Sequence, residues 1–248
     1  MAITIKDMLI TPNKWSRPQT KIGAIKNIVV HWIGNAGTTA ENNAKYFNSL
    51  KDGRGTYASS HYIIGNDGVV IRCVPENEVA YHASSANNYS IGIEVCHPDN
   101  TGKYTDAAYK ALIELLVDLC NRYKLEPTQA VIRHYDVTGK DCPRYYVKNT
   151  QEWINLKNDV KEAMSIEDKD LIAAVNKIIS SGISINTNSW NDMDKIKLTN
   201  VQALLNKLGG FDKLVVDEII SDKNLWLTKQ YNTNHVRSLL IKYASKLA

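Results

Sequence analysis

The stretch NIVVHW, residues 27–32, sets three β-branched residues in a row and then ends on a histidine and a tryptophan. A short apolar run of this kind reads as a strand, and the segments on either side extend the pattern. TTAENNAKYFNSL (38–50) reads as a helix in which Thr38 and Glu41 have the separation of a capping box. HYIIGNDGVVIRCV (61–74) reads as a hairpin, because Asn-Asp-Gly is a turn signal between two β-branched runs. SIGIEVC (90–96) is a further strand. TDAAYKALIELLVDLCNRYKL (105–125) opens on a Thr105 cap and repeats Leu112, Ile113, Leu116, Leu119 and Cys120 at helical spacing. A short strand AVIRHYD (130–136) and a helix near 149–164 complete the region. Strands and helices in this order predict an α/β domain, with a mixed central sheet flanked by helices in three layers.

The totals agree with a globular chain. It has 248 residues, 44% hydrophobic and 23% charged, enough apolar material for one or two cored domains. A formal net charge of +4 is mildly basic, and neither half concentrates it in a patch, so a nucleic-acid partner is not expected. No run approaches the roughly 18 apolar residues of a membrane span. The N-terminal MAITIKDMLITPNKW lacks the pattern of a secretory signal, so the expected starting place is the cytoplasm. Cys73, Cys96, Cys120 and Cys142 are scattered, which in that setting predicts free thiols.

From about residue 165 the grammar changes to Lys, Asn and Leu with helical spacing throughout. We therefore expect domains at 1–164 and 165–248, the second smaller and all-helical. SWNDMDKIKLTNVQALLNKL (189–208) and LWLTKQYNTNHVRSLLIKYA (225–244) each carry a tryptophan, then Thr-Asn, then Val-x-x-Leu-Leu. This reads as two copies of a unit about 35–40 residues long. Trp190 and Trp226 suit either the centre of each repeat or an exposed platform for a sugar ring.

RHYDVTGKDCP (133–143) brings His134 and Cys142 within one loop, and His31 at the end of NIVVHW is the best third partner. Two imidazoles and a thiolate suit the donor preferences of a catalytic zinc, which leaves its fourth position open. Taken singly, each residue has a plainer reading, as a satisfied strand histidine or a small buried cysteine.

Four blocks add to this: VVHWIG, SSHYIIGNDG, YHASSANNYSIGIEV and RHYDVTGKDCP, in this order across roughly residues 20–160. Together they resemble the zinc-dependent N-acetylmuramoyl-L-alanine amidases, a family of amidase-type phage endolysins, autolysins and related peptidoglycan recognition proteins. The resemblance implies the amidase/peptidoglycan recognition fold, one catalytic Zn²⁺ on His31, His134 and Cys142, and catalysis by Glu94 and Lys140. His82 resembles a residue that lines the substrate groove in that family. Some relatives place a catalytic tyrosine where this chain has Ser60, which passes that role to Glu94. The chemistry suits these residues: a carboxylate to move protons, and an ammonium to face a developing oxyanion. His61 reads as a packing residue or a support to the site, and His97 and His235 as surface residues. The implied activity is cleavage of the amide between N-acetylmuramic acid and the L-alanine of the stem peptide. The partner would be bacterial peptidoglycan and the context a phage or prophage endolysin acting on Gram-positive walls. The C-terminal repeats more weakly resemble small wall-binding helical modules. Recognition proteins that bind without cleaving typically lack the zinc cysteine, and Cys142 is present here.

Overall fold

The computed structural model describes residues 4–53, 55–190, 196–231 and 233–247, excluding the side chains of 165–168, 188 and 234. Residues 191–195 of the first repeat copy lie outside the described residues. The chain divides into two compact units, the first ending at Lys161 and the second beginning at Glu162.

Among the described residues, the first unit is built on six strands: β1 (Ile5–Asp7), β2 (Asn27–Trp32), β3 (Tyr62–Ile64), β4 (Val70–Arg72), β5 (Ser90–Val95) and β6 (Val131–Arg133). Their order is β1-β4-β3-β5-β2-β6, parallel throughout except for the β3–β4 hairpin. The sheet is therefore mixed, and Ile28, Val29, Val30, Ile91 and Ile93 are fully buried in it. Each such side chain stabilises the fold by about 1.5–3 kcal/mol. Helix α1 (Ala40–Ser49) packs Ala40, Ala44 and Phe47 into a cluster with Ile63 and Ile71. Helix α2 (Asp106–Tyr123) buries Leu112, Leu116, Leu119 and Cys120, the stripe expected from its spacing, while Ile113 is half-buried. Thr105 caps α2 by accepting the Ala108 N–H at 3.1 Å. In α1 the cap is Thr39, which accepts the Asn42 N–H, and not Thr38. The Thr38 hydroxyl is engaged instead with the Asn35 carbonyl and the Asn43 amide.

The segment expected as a strand over 130–136 stops early. A short helix α3 (Pro127–Ala130) precedes β6, and His134 opens helix α4 (His134–Thr138). Asp136 explains the change. Its carboxylate accepts the Arg133 backbone N–H at 2.8 Å and the Arg133 guanidinium at 2.7 Å, which turns the chain into a helix at this point. Gly139 then ends α4 in the left-handed region at φ 78°, which glycine adopts without a side-chain penalty. The loop returns so that the Tyr135 N–H donates to the Cys142 carbonyl at 2.8 Å. Helix α5 (Arg144–Lys148) follows, and α6 (Thr150–Ser180) carries the chain from the first unit into the second.

The second unit is helical, as expected: the end of α6, then α7 (Thr187–Trp190), α8 (Val201–Lys207), α9 (Phe211–Val216), α10 (Lys223–Leu227) and α11 (Thr233–Lys246). Val201, Leu204 and Leu205 of one segment and Val236, Leu239 and Leu240 of the other are buried in one apolar cluster. Trp190 and Trp226 lie in that same cluster, and Trp226 stacks on Tyr231 with ring centroids 5.0 Å apart. Of the two readings of these tryptophans, the structure selects the core.

Candidate metal centre

Strand register assembles the site before any side chain is considered. β2 lies between β5 and β6 and runs parallel to both, so all three strands end at one edge of the sheet. His31 is directly opposite Glu94 in the β2–β5 pairing. On the other side Val30 pairs with Arg133, which sets His134 next to His31 as β6 gives way to α4. The α4 loop then returns Cys142 to the same edge.

His31 Nδ1 is 3.1 Å from His134 Nδ1 and 3.7 Å from Cys142 Sγ, and the three donor atoms all lie within 4.8 Å of one another. Zinc bonds of ordinary length at tetrahedral angles would place nitrogen pairs about 3.3 Å apart and nitrogen–sulfur pairs about 3.6 Å apart. The donor set and its spacing fit a zinc ion. Burial, then the neighbouring His82, His134 and Lys140, hold His31 well below the ordinary histidine range, so it is neutral and able to give a lone pair. Burial and Lys140 likewise lower His134. Burial pushes the Cys142 thiol up to about 12, with the Trp32 backbone N–H and Lys140 acting in the opposite direction. A metal at this site would therefore have to displace the thiol proton.

Glu94 lies beside the cluster, with Oε1 4.0 Å from His31 Nδ1. Its Oε2 is buried with no hydrogen-bond partner, an atom left for something else to meet. Burial pushes the carboxyl up to about 8, against the charge of Lys140. Lys140 is itself exposed on the loop before Cys142, and its charge is felt at His31, His134, Cys142 and Glu94 alike. The structure thus gathers His31, His134, Cys142, Glu94 and Lys140 at one edge.

His82, expected to line the substrate groove, sits behind His31. It is half-buried, and its Nδ1 is 3.1 Å from His31 Nε2, on the side of that ring away from His134 and Cys142. His61 is a satisfied core residue. Its Nδ1 accepts the Gly92 N–H at 3.0 Å and its Nε2 donates to the Glu78 carbonyl at 2.9 Å, while burial lowers it to about 4. The Ser60 hydroxyl is directed at the Tyr62 and Gly92 carbonyls, inside the sheet. His97, expected at the surface, is buried against Trp32, with ring centroids 4.6 Å apart, and both its nitrogens face backbone carbonyls, of Ile33 and Asp99. That stacking and those two carbonyls supply the contacts that make burial of the ring favourable.

Sequence reasoning missed two supports of the site. Tyr104, from just before α2, donates its hydroxyl to the His31 carbonyl at 3.0 Å. Trp32 gives its backbone N–H to the Cys142 sulfur and carries the Arg144 guanidinium 4.4 Å above its ring. Arg144 in turn pairs with Asp141 at 3.0 Å, which steadies the residue just before the cysteine. Only the tertiary fold joins these positions, so no spacing signal could have revealed them.

Comparison with known proteins identifies the family. The family model of N-acetylmuramoyl-L-alanine amidases matches residues 21–145. The N-acetylmuramoyl-L-alanine amidase BlyA of Bacillus subtilis (strain 168) is 34% identical over 176 residues, covering 63% of this chain and 46% of that protein. The N-acetylmuramoyl-L-alanine amidase CwlL of Bacillus licheniformis is 34% identical over 161 residues, covering 60% of this chain and 44% of that protein. The chain spans about half the length of the curated relatives it matches. Among solved structures, the catalytic domain of XlyA shares the fold, with a TM-score of 0.55 at 24% identity over 64% of this chain and 99% of that one. The family match covers half of the chain, including the strand that carries His31, the strand that carries Glu94 and the loop that carries Cys142, and on that ground the protein belongs to the N-acetylmuramoyl-L-alanine amidase family.

Proposed function

We propose that the chain is a zinc-dependent peptidoglycan amidase that cleaves the bond between N-acetylmuramic acid and the L-alanine of the stem peptide. The observation that carries this reading is the trio of His31, His134 and Cys142, with donor atoms within 4.8 Å of one another, beside the unpartnered Oε2 of Glu94. The names of the relatives supply the substrate class. Zinc held by these three residues would supply Lewis acidity toward the scissile carbonyl and the attacking water. Glu94 takes the proton from that water and returns it to the departing alanine nitrogen. A carboxyl can work in both directions, first as base and then as acid. Lys140 faces the charge that develops on the carbonyl oxygen.

The second unit is read as a wall-binding module that keeps the enzyme on its polymeric substrate. Within this reading the chain is a phage or prophage endolysin for Gram-positive walls, held in the cytoplasm until it is released to the wall. Among the described residues no helix is long and apolar enough to cross a membrane.

Mass analysis of wall fragments after digestion tests the reaction. Free L-alanine amino termini, with muramic acid left as the free lactyl acid, are expected; cuts confined to glycosidic bonds or to peptide cross-links would overturn the assignment. Residues 165–248 fused to a fluorescent protein should decorate susceptible walls. A well-folded fusion that labels none would reduce this part to a structural appendage.

A further inference from the structure

The proton on the far side of His31 must go somewhere, and the structure defines where. We propose that His82 is a positioning residue for the metal ligand His31, accepting its Nε2 proton and thereby fixing the tautomer that presents Nδ1 to the metal. The direction can be read from the far end of the chain of contacts. Ser90 Oγ lies 2.6 Å from the Ala86 carbonyl, which can only accept, so the serine proton is committed there. Ser90 Oγ then has only lone pairs to offer His82 Nε2 at 3.4 Å, which puts the His82 proton on Nε2. Nδ1 of His82 is left as an acceptor 3.1 Å from His31 Nε2, so His31 donates from Nε2 and its lone pair sits on Nδ1. Nδ1 is the atom that faces His134 and Cys142. A backbone carbonyl thus sets the orientation of a metal ligand through two side chains.

The surroundings hold His82 to this task. Asn87 Oδ1 accepts the backbone N–H groups of His82 at 3.0 Å and Ala83 at 2.7 Å, which fixes where the ring enters. The ring lies directly on Gly92, where an added Cβ would stand 2.5 Å from the imidazole Cγ, so β5 needs a glycine two residues before Glu94. His61 packs edge-on at a centroid distance of 5.8 Å with both of its own nitrogens already engaged, so it supports the His82 ring without competing for its nitrogens. The block YHASSANNYSIGIEV therefore supplies Glu94 and also His82, Asn87, Ser90 and Gly92, which together orient His31.

This inference rests on the zinc reading, and the test separates the two. Zinc affinity is measured by chelator competition on the full chain for the wild type, His82→Ala and His82→Asn, together with the ¹⁵N NMR tautomer of His31 in the metal-free wild type. His82→Ala should bind zinc about 10- to 100-fold more weakly. His82→Asn should recover most of the affinity, since its Oδ1 can accept where Nδ1 did. The wild-type His31 should carry its proton on Nε2. Wild-type zinc affinity in His82→Ala, with or without a raised KM for walls, would overturn the positioning role. So would a His31 proton found on Nδ1, a result that stands even if the alanine variant fails to fold. A wild-type chain that binds no zinc would instead overturn the metal reading, leaving the tautomer measurement to decide the hydrogen-bond chain alone.

Discussion

In the first unit the fold buries His31, Ser60, His61, Ser90 and His97, whereas the second unit buries, among its described residues, apolar side chains and the ring systems of two tryptophans and a tyrosine. The first arrangement is costly, because a buried polar group without a partner loses about 2–7 kcal/mol relative to water. Most of these groups have partners. The Ser60 hydroxyl meets two carbonyls, His61 bridges Gly92 and Glu78, and Ser90 reaches Ala86. Among the described residues two buried side-chain oxygens lack one, Asn66 Oδ1 and Glu94 Oε2, and the second stands beside the His/His/Cys trio. The contrast separates the units: the one that tolerates buried polarity holds the His/His/Cys trio and Glu94, and the one that excludes it is built as an apolar core.

Substitutions can break that contrast. The largest effect is expected for Cys142→Ser, which removes the soft donor: zinc retention under dialysis should be lost and wall lysis should fall to background, with both units still folded by circular dichroism. Lys140→Ala should lower kcat by about 10²–10³-fold, the loss typical of one oxyanion donor, at unchanged zinc content. In the second unit Trp226→Ala should destabilise the helical core by about 3–5 kcal/mol in denaturant titration and leave zinc content untouched.

The smallest effect concerns an ion-pair network in the first unit away from the edge. Burial works to raise Glu76, but hydrogen bonds from Arg122, Tyr123 and Tyr62 outweigh it and hold the carboxyl at about 2. Because the folded value lies below the ordinary 4.5, the network's contribution is complete above that pH. It is lost as pH falls toward 2, a change of about 3 kcal/mol. Denaturant titration at pH 5 and pH 2.5 should show the loss in the wild type and a flatter response in Glu76→Gln.

Much of this was legible in the sequence. The β-branched runs, the Asn-Asp-Gly turn and the helical stripe of Leu112, Leu116 and Leu119 named their elements, because those signals act over a few residues. The candidate ligand set came from block order rather than from spacing, since His31 and Cys142 are joined only by the register of β2 with β5 and β6 and by the α4 loop. Errors arose where a local choice had two near-equal answers. Thr38 and Thr39 compete for one cap, and Asp136 converts the end of an apparent strand into a helix start. The burial of His97 depends on Trp32 and on two carbonyls distant in the chain or bent back to it, which no periodicity encodes.

The central claim is that the buried polarity of the first unit holds a metal ion and a proton-transferring carboxylate as separable parts. Glu94→Gln, assayed for zinc content by elemental analysis and for turnover on walls, tests it most directly. The account predicts one zinc per chain in both the wild type and the variant, with turnover reduced by about 10²–10⁴-fold in the variant. A wild type without zinc, or a variant with full turnover, would contradict it.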